Sequence, residues 1–310
     1  MSVVSAPGTA GAPRRRSALA REEMRDGYLM MAPWLVGFVV LLAGPMIASL
    51  VISLTNWQML VAPRWLGIAN YAEIARDEMI GIALGNTAFY TFLGVPLFTT
   101  LGLALGLVMA QPLRGIRLYR TMYFLPSITP VVATTLLWML IFQADFGLAN
   151  YVLDELGLPR QLWLLDPAQA KPVLVFMYLW GVGASMPIFL AGLKGIPAEM
   201  YEAAKIDGAG RWQSFRNITL PLLSPVIFFV VMTGFIAGFQ VFTAAYIATA
   251  GGPANSTRFF VLHLYDTAFK FFRMGYASAM AWLLFVIVLA FTLAQFAVAR
   301  RLVYYEDTRD

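Results

Sequence analysis

The sequence predicts an all-α membrane protein of about six transmembrane helices, with a short cytoplasmic helix between the fourth and the fifth. Three observations carry this. The 310 residues are 60% hydrophobic and only 13% charged, with mean hydropathy +0.70, whereas soluble domains average roughly a quarter charged residues. A soluble core cannot absorb this much apolar surface, so lipid must be the solvent for much of the chain. Six apolar runs are each long enough to cross about 30 Å of hydrocarbon at about 1.5 Å per residue. Charged side chains gather at the ends of those runs, and none stands in the middle of one.

Residues 1–27 are polar, with Pro, Gly, Ser and "RRR" at 14–16, and read as a disordered cytoplasmic tail. The first span is "MAPWLVGFVVLLAGPMIASLVISL" at 31–54. It holds Pro33 and Pro45, which membrane helices tolerate because neighbours satisfy the freed carbonyls. The run is too long for a signal-peptide core of about 7–15 residues and no small-x-small site closes it, so it reads as a retained anchor. The other spans are 86–110, 121–143, 172–193, 219–248 and 276–299, and 301–310 is a cytoplasmic C-terminal tail. With the N-terminus inside, 15 of the 22 basic residues fall inside and 7 outside. That bias puts both termini in the cytoplasm.

Several chemistries are excluded. The chain has no cysteine, hence no disulfide, thiolate metal site or cysteine nucleophile. Its one histidine, His263, builds no metal cluster alone and reads as structural. An ionisable residue at the bilayer centre costs about 2.5–3.5 kcal/mol and is kept mostly for function. The lack of any argues against a proton-coupled carrier and against an intramembrane enzyme, which needs a polar cluster at matching depth. No phosphate-cradling G-x-x-x-x-G-K-[ST] occurs, nor even the dipeptide Gly-Lys. If the chain moves something uphill, another chain handles the fuel. The net charge of +5 sits at the span ends and does not indicate nucleic acid.

The polar stretch "KGIPAEMYEAAKIDGAGRW" at 194–212 has a helix start and a stop. Pro197 suits the first helical position, and Glu199 and Glu202 lie towards the positive end of the helix dipole. Gly208 is placed to end the helix in a left-handed conformation. A helix of about ten residues is unstable alone in water and must pack on something. Met200, Ala203, Ala204 and Asp207 share a face at helical spacing, and alanines let another surface come close. Read from the residues alone, that surface is the chain's own bundle or a partner.

The spacing of this stretch goes further. Glu202, Ala203 and Ala204 are followed by three residues, Gly208, nine residues, Ile218, one residue, then Leu220 and Pro221. Every fixed position resembles the signature loop of the membrane subunits of binding-protein-dependent ABC importers, and "EAAKIDGAGRWQSFRNITLPLLSP" resembles their carbohydrate-uptake branch. "APWLVGF" at 32–38, "LGIANY" at 66–71, "GNT" at 85–87, "RTMYFLPSITP" at 120–130 and "GGPANST" at 251–257 extend the likeness over nearly the whole chain.

The resemblance implies a transmembrane permease domain over 28–300 with a coupling loop at 197–221. In that family the loop forms a helix that docks into a cleft on a cytoplasmic ATPase. Glu202 would pair with a basic group there, Ala203 and Ala204 would give close approach, Asp207 would add a charged edge and Gly208 would set the turn. Glu202 is also readable as a solvated surface carboxylate. The implied partners are a second permease subunit of paralogous sequence, two cytoplasmic ABC ATPase subunits carrying ATP and Mg, an external substrate-binding protein and the lipid bilayer of the bacterial inner membrane. The chain itself would hold no cofactor, metal or catalytic residue. The implied cargo is a sugar or a related polyol or oligosaccharide, moved by alternating access. Span five offers "FIAGFQVFTAAY", with Phe239, Gln240, Thr243 and Tyr246 as path candidates. Gln240 and Thr243 lie at i, i+3 and share a face on a continuous helix, while Phe239 and Tyr246 serve equally as packing. Many permeases of this type carry Asp where Thr243 stands. Residues 252–275 resemble an interfacial amphipathic piece that lines the outer gate or touches the binding protein. A facilitative, ATP-independent channel or carrier is the alternative, and it leaves the loop unexplained.

Overall fold

The computed structural model describes residues 18–302. Residues 1–17 of the expected N-terminal tail and 303–310 of the C-terminal one lie outside the described residues. Among the described residues helices are the only regular elements, and extended pairing is limited to an isolated bridge between Thr55 and Trp65. The described residues fall into two compact units, divided between Ile52 and Ser53.

The first unit carries span 1, whose helix starts at Ala18. Residues 18–27 are therefore helical where a disordered tail was expected. Their polarity hid strong helix formers: Arg21, Glu22, Glu23, Met24 and Arg25 lose little rotamer freedom in a helix. Val39–Ala43 is a single π turn, in which the Gly44 N–H reaches back to the Val39 carbonyl. Pro45 follows at once. Its ring has no N–H to give and crowds the carbonyl four residues back, so the chain widens by one residue just before it. The same device recurs at Phe215–Thr219, where the Leu220 N–H bonds to the Phe215 carbonyl one residue before Pro221.

The second unit is a bundle of five spans. Spans 2 (Glu78–Ala110) and 6 (Met274–Leu302) are continuous helices. Spans 3, 4 and 5 are bent pairs. Ile116–Ile128 meets Val131–Ile141 at 96°, Pro167–Ala184 meets Met186–Lys194 at 41°, and Arg211–Leu222 meets Ser224–Phe239 at 62°. With each bent pair counted as one span, and with span 1, the described residues offer up to six candidate crossings. Span 2 is the hub, packed on spans 4 and 5. Glycines permit the approach. A Cβ at Gly106 would lie 2.8 Å from the Phe189 Cβ of span 4, and one at Gly234 of span 5 would lie 2.9 Å from Val95. Lipid offers helices no hydrophobic reason to associate, so close van der Waals packing across small residues has to supply it.

Two elements differ from expectation. Span 5 stops at Phe239; a separate short helix, Thr243–Ala248, follows. Gln240 and Val241 close i→i−3 bonds to Ala237 and Gly238, and the helix tightens and ends there. Val241, Phe242 and Thr243 are three successive poor helix formers. Gln240 and Thr243 thus lie on different elements and share no helical face. Residues 252–275 are also not an interfacial surface piece: Phe259, Phe260 and Leu262 are fully buried, with His263 and Asp266 nearly so.

Candidate functional site

Helix breaks define the cavity. In span 3 the α-helix tightens into a 3-10 turn at Leu125–Ile128, opens at Thr129 and Pro130, and restarts at Val131. Pro126 and Pro130 supply no N–H and force the bend. In span 4 a 3-10 turn occupies Trp180–Ala184. The two breaks cross, because Gly183 lets the backbones meet: a Cβ there would fall on the Tyr123 carbonyl. Irregular backbone at membrane depth is tolerated only where it is buried in protein or lines a cavity.

Here it lines one of about 300 Å³. The walls are aromatic. Tyr178 stacks on Phe98 at 4.9 Å, Tyr90 leans on Tyr178 at 5.7 Å, and Trp138 meets Trp180 edge to face at 5.4 Å. Four hydroxyl-bearing residues of span 3 also line the cavity, Ser127, Thr129, Thr134 and Thr135. Each donates to a carbonyl of its own helix, as Ser127 does to Phe124 at 2.6 Å and Thr135 to Val131 at 2.7 Å. Their oxygens keep acceptor capacity for a ligand. None of the lining residues is charged. Flat apolar faces beside hydroxyl acceptors suit a neutral ligand with one C–H face and many O–H groups.

One end of the bundle, that of segment 255–270, is pinned by a polar cluster. Asn86 donates to the carbonyls of Asn255 (2.8 Å) and Arg258 (3.1 Å) and accepts from Lys171 at 3.1 Å. Thr87 accepts from the Phe260 N–H at 2.9 Å. Asp266 pairs with Arg258 at 3.2 Å and Lys270 at 2.7 Å. The Asp266 hydrogen bond holds the Lys270 ammonium above its usual pKa, while burial pushes the His263 imidazole below its own.

At the other end Ala198–Ile206 forms the short helix. Pro197 stands just before it rather than at its first position. Gly208 has φ +77°. Its N–H bonds to the Lys205 carbonyl at 3.1 Å and the Ala209 N–H reaches the Ala204 carbonyl at 2.8 Å. This bond pair is the Schellman stop. The Tyr201 hydroxyl, 2.9 Å from that of the buried Thr219, ties the helix to the start of span 5. Tyr201 and Ala204 form the inward row; Glu202, Ala203, Asp207 and Gly208 are exposed. Ala204, which shares a face with Met200, Ala203 and Asp207 by spacing, is half-buried while those three are exposed. Two large apolar side chains beside that face, Ile206 at 87% and Trp212 at 69% exposure, were not singled out from the sequence.

The span-five candidates are not brought together. Phe239 is buried against Phe291 and Phe92. Gln240 lines a different groove, of about 350 Å³, with Leu264 and Leu284. Thr243 is half-buried at the start of its short helix, and Tyr246 stacks on Phe242 at 5.2 Å. From this segment only Ala244 borders the aromatic cavity. The residues that do line it escaped sequence reading, although "LPSITP" in an apolar run is a visible break signal.

Residues 98–304 match the family described as binding-protein-dependent transport system inner membrane component. The chain is 39% identical over 301 residues to a probable ABC transporter permease protein, YesP, of Bacillus subtilis (strain 168), covering 96% of this chain and 97% of that one. It is 34% identical over 292 residues to the lactose transport system permease protein LacF of Rhizobium radiobacter, covering 92% and 97%. A chain in the crystal structure of a bacterial alginate ABC transporter, in complex with an alginate pentasaccharide-bound periplasmic protein, superposes with TM-score 0.81 at 22% identity, over 92% of this chain and 98% of that one. That likeness speaks to the fold alone. With the family match over two thirds of its length and relatives aligned nearly end to end, the chain belongs to the binding-protein-dependent transport system inner membrane components, the permease subunits of ABC transporters.

Proposed function

We propose that this chain is one of two permease subunits forming an alternating-access path for a carbohydrate handed over by an external binding protein, with ATP and Mg held on two separate cytoplasmic ATPase subunits. The observation that carries the reading is the uncharged cavity at the crossed helix breaks, lined by both aromatic rings and hydroxyl-bearing residues. Relatives are named for lactose, trehalose and maltose, and diacetylchitobiose, all neutral sugars. The helix Ala198–Ile206 is the coupling element: Glu202, Ala203, Asp207 and Gly208 meet the ATPase, with Ile206 and Trp212 as apolar anchors beside them. The charge bias places this helix and both termini in the cytoplasm. The second permease subunit is a paralogue; Gln240 acts in the path through the groove it lines, Thr243 and Tyr246 across to that subunit, and Phe239 serves as packing behind them.

The test is sugar uptake by the reconstituted complex with Trp180→Ala. The ring is 51% exposed, so its removal spares the fold. Loss of a stacking face is worth about 0.5–1.5 kcal/mol beyond buried area, so apparent affinity for transported sugar should weaken by roughly twofold to twelvefold. Uptake at parental affinity for every sugar the binding protein delivers would remove this cavity from the path.

A further inference from the structure

Spans 5 and 6 enclose an apolar groove of about 390 Å³, lined by Ile227, Phe228 and Val231 on one side and Phe291, Ala294 and Val298 on the other. It follows span 6 from Phe291 to Ala299, about 12 Å of helix. Half the hydrocarbon thickness is about 15 Å, and the groove ends at Ala299, beside the arginines that close span 6, so its length of about 12 Å lies within one leaflet. A partner's transmembrane helix needs a contact face running through both. An acyl chain needs only this one.

The row Phe291, Ala294, Val298 continues one turn later to Arg301, with Arg300 beside it. Both arginines are exposed, and among the described residues no carboxylate pairs with either. Gln295 lies on the same groove, six residues and about 9 Å deeper than Arg301. Its Oε1 is buried and unpartnered. Amide oxygen and nitrogen interchange by a flip, and turned over, the amide donates towards the ester carbonyls that hang below a phospholipid phosphate. The charge bias that underlies the proposed orientation puts this end in the cytoplasmic leaflet, where anionic lipids attract arginine.

We propose that spans 5 and 6 hold one anionic phospholipid of the inner leaflet, with an acyl chain in the groove, an ester on Gln295 and the phosphate on Arg300 and Arg301. The site is separate from the sugar path and stands whether or not that path is correctly placed.

The test uses the full transporter in vesicles of phosphatidylethanolamine and phosphatidylglycerol containing photoactivatable phosphatidylglycerol with a diazirine in its acyl chain. Adducts should fall on peptides 225–231 and 291–299 and should be competed by unlabelled phosphatidylglycerol but not by phosphatidylethanolamine. With Arg300→Gln and Arg301→Gln combined, labelling there should drop by up to roughly thirtyfold, the scale expected for two arginines near an anionic surface. The wild-type competition stands even if that variant assembles poorly. Equal competition by phosphatidylethanolamine, labelling no greater than at Leu136, Leu137 and Leu140 of span 3, or capture of the second permease subunit by a cross-linker on Ala294→Cys would each overturn the proposal.

Discussion

Gly208 is where one residue's conformational freedom bears most on function. Its φ of +77° has open space around the missing Cβ, so nothing but the backbone resists substitution. A non-glycine residue in this conformation costs roughly 1–2 kcal/mol. The full spacing from Glu202 to Pro221 made this residue legible, because a left-handed stop after a short helix follows from position alone. Ile206 and Trp212 were not legible, since exposure depends on which row the bundle covers, and Tyr201 settles that through Thr219. An exposed isoleucine and tryptophan on a polar loop are the kind of anchors that bury on a partner. Ile206→Asp should insert normally yet lose its ATPase subunits on detergent purification. Stoichiometric retention of those subunits would show that Ile206 lies outside the interface.

At the scale of elements, hydropathy reports depth and is blind to continuity. Its six runs match the three long helices and three bent pairs, which make up to six candidate spans, and the apolar run 219–248 contains a full helix end at Phe239. Pro126 and Pro130 signal their break openly. The break after Phe239 rests on three adjacent residues of modest helix propensity and carries no such mark. Long-range contacts are the other invisible class: Asn86 and Thr87 hold the segment 255–260 across about 170 residues of chain, and neither local composition nor period reveals that. The crossing of spans 3 and 4 depends on Gly183. Its Cβ would meet backbone, which cannot move aside as a flexible side chain does. Gly183→Ala should separate the two breaks and abolish uptake while the protein still inserts, whereas Gly85→Ala, whose Cβ meets nothing within 4 Å, should transport normally. Normal uptake by Gly183→Ala would mean that the crossing does not shape the path.

For the whole molecule, the absence of cysteine allows topology to be read directly. Single cysteines at Ala62 and Glu155 should react with an impermeant thiol reagent on spheroplasts, and those at Arg117 and Lys205 only after permeabilisation. All four positions are exposed, so reactivity reports sidedness rather than burial. Reaction at Arg117 or Lys205 in sealed spheroplasts would invert the charge-bias assignment and move the short helix out of reach of any cytoplasmic ATPase.

That helix is the centre of the account. If ATP is held on separate subunits, as proposed, the work of its hydrolysis reaches this chain through a contact. The most direct measurement is ATP hydrolysis by the reconstituted complex with and without sugar-loaded binding protein, for wild type, Gly208→Val and Glu202→Lys. The account predicts that both variants assemble in the membrane and lose most of the stimulation seen in wild type, and that a charge-reversed ATPase partner restores part of it to Glu202→Lys. Full stimulation in both variants would contradict it.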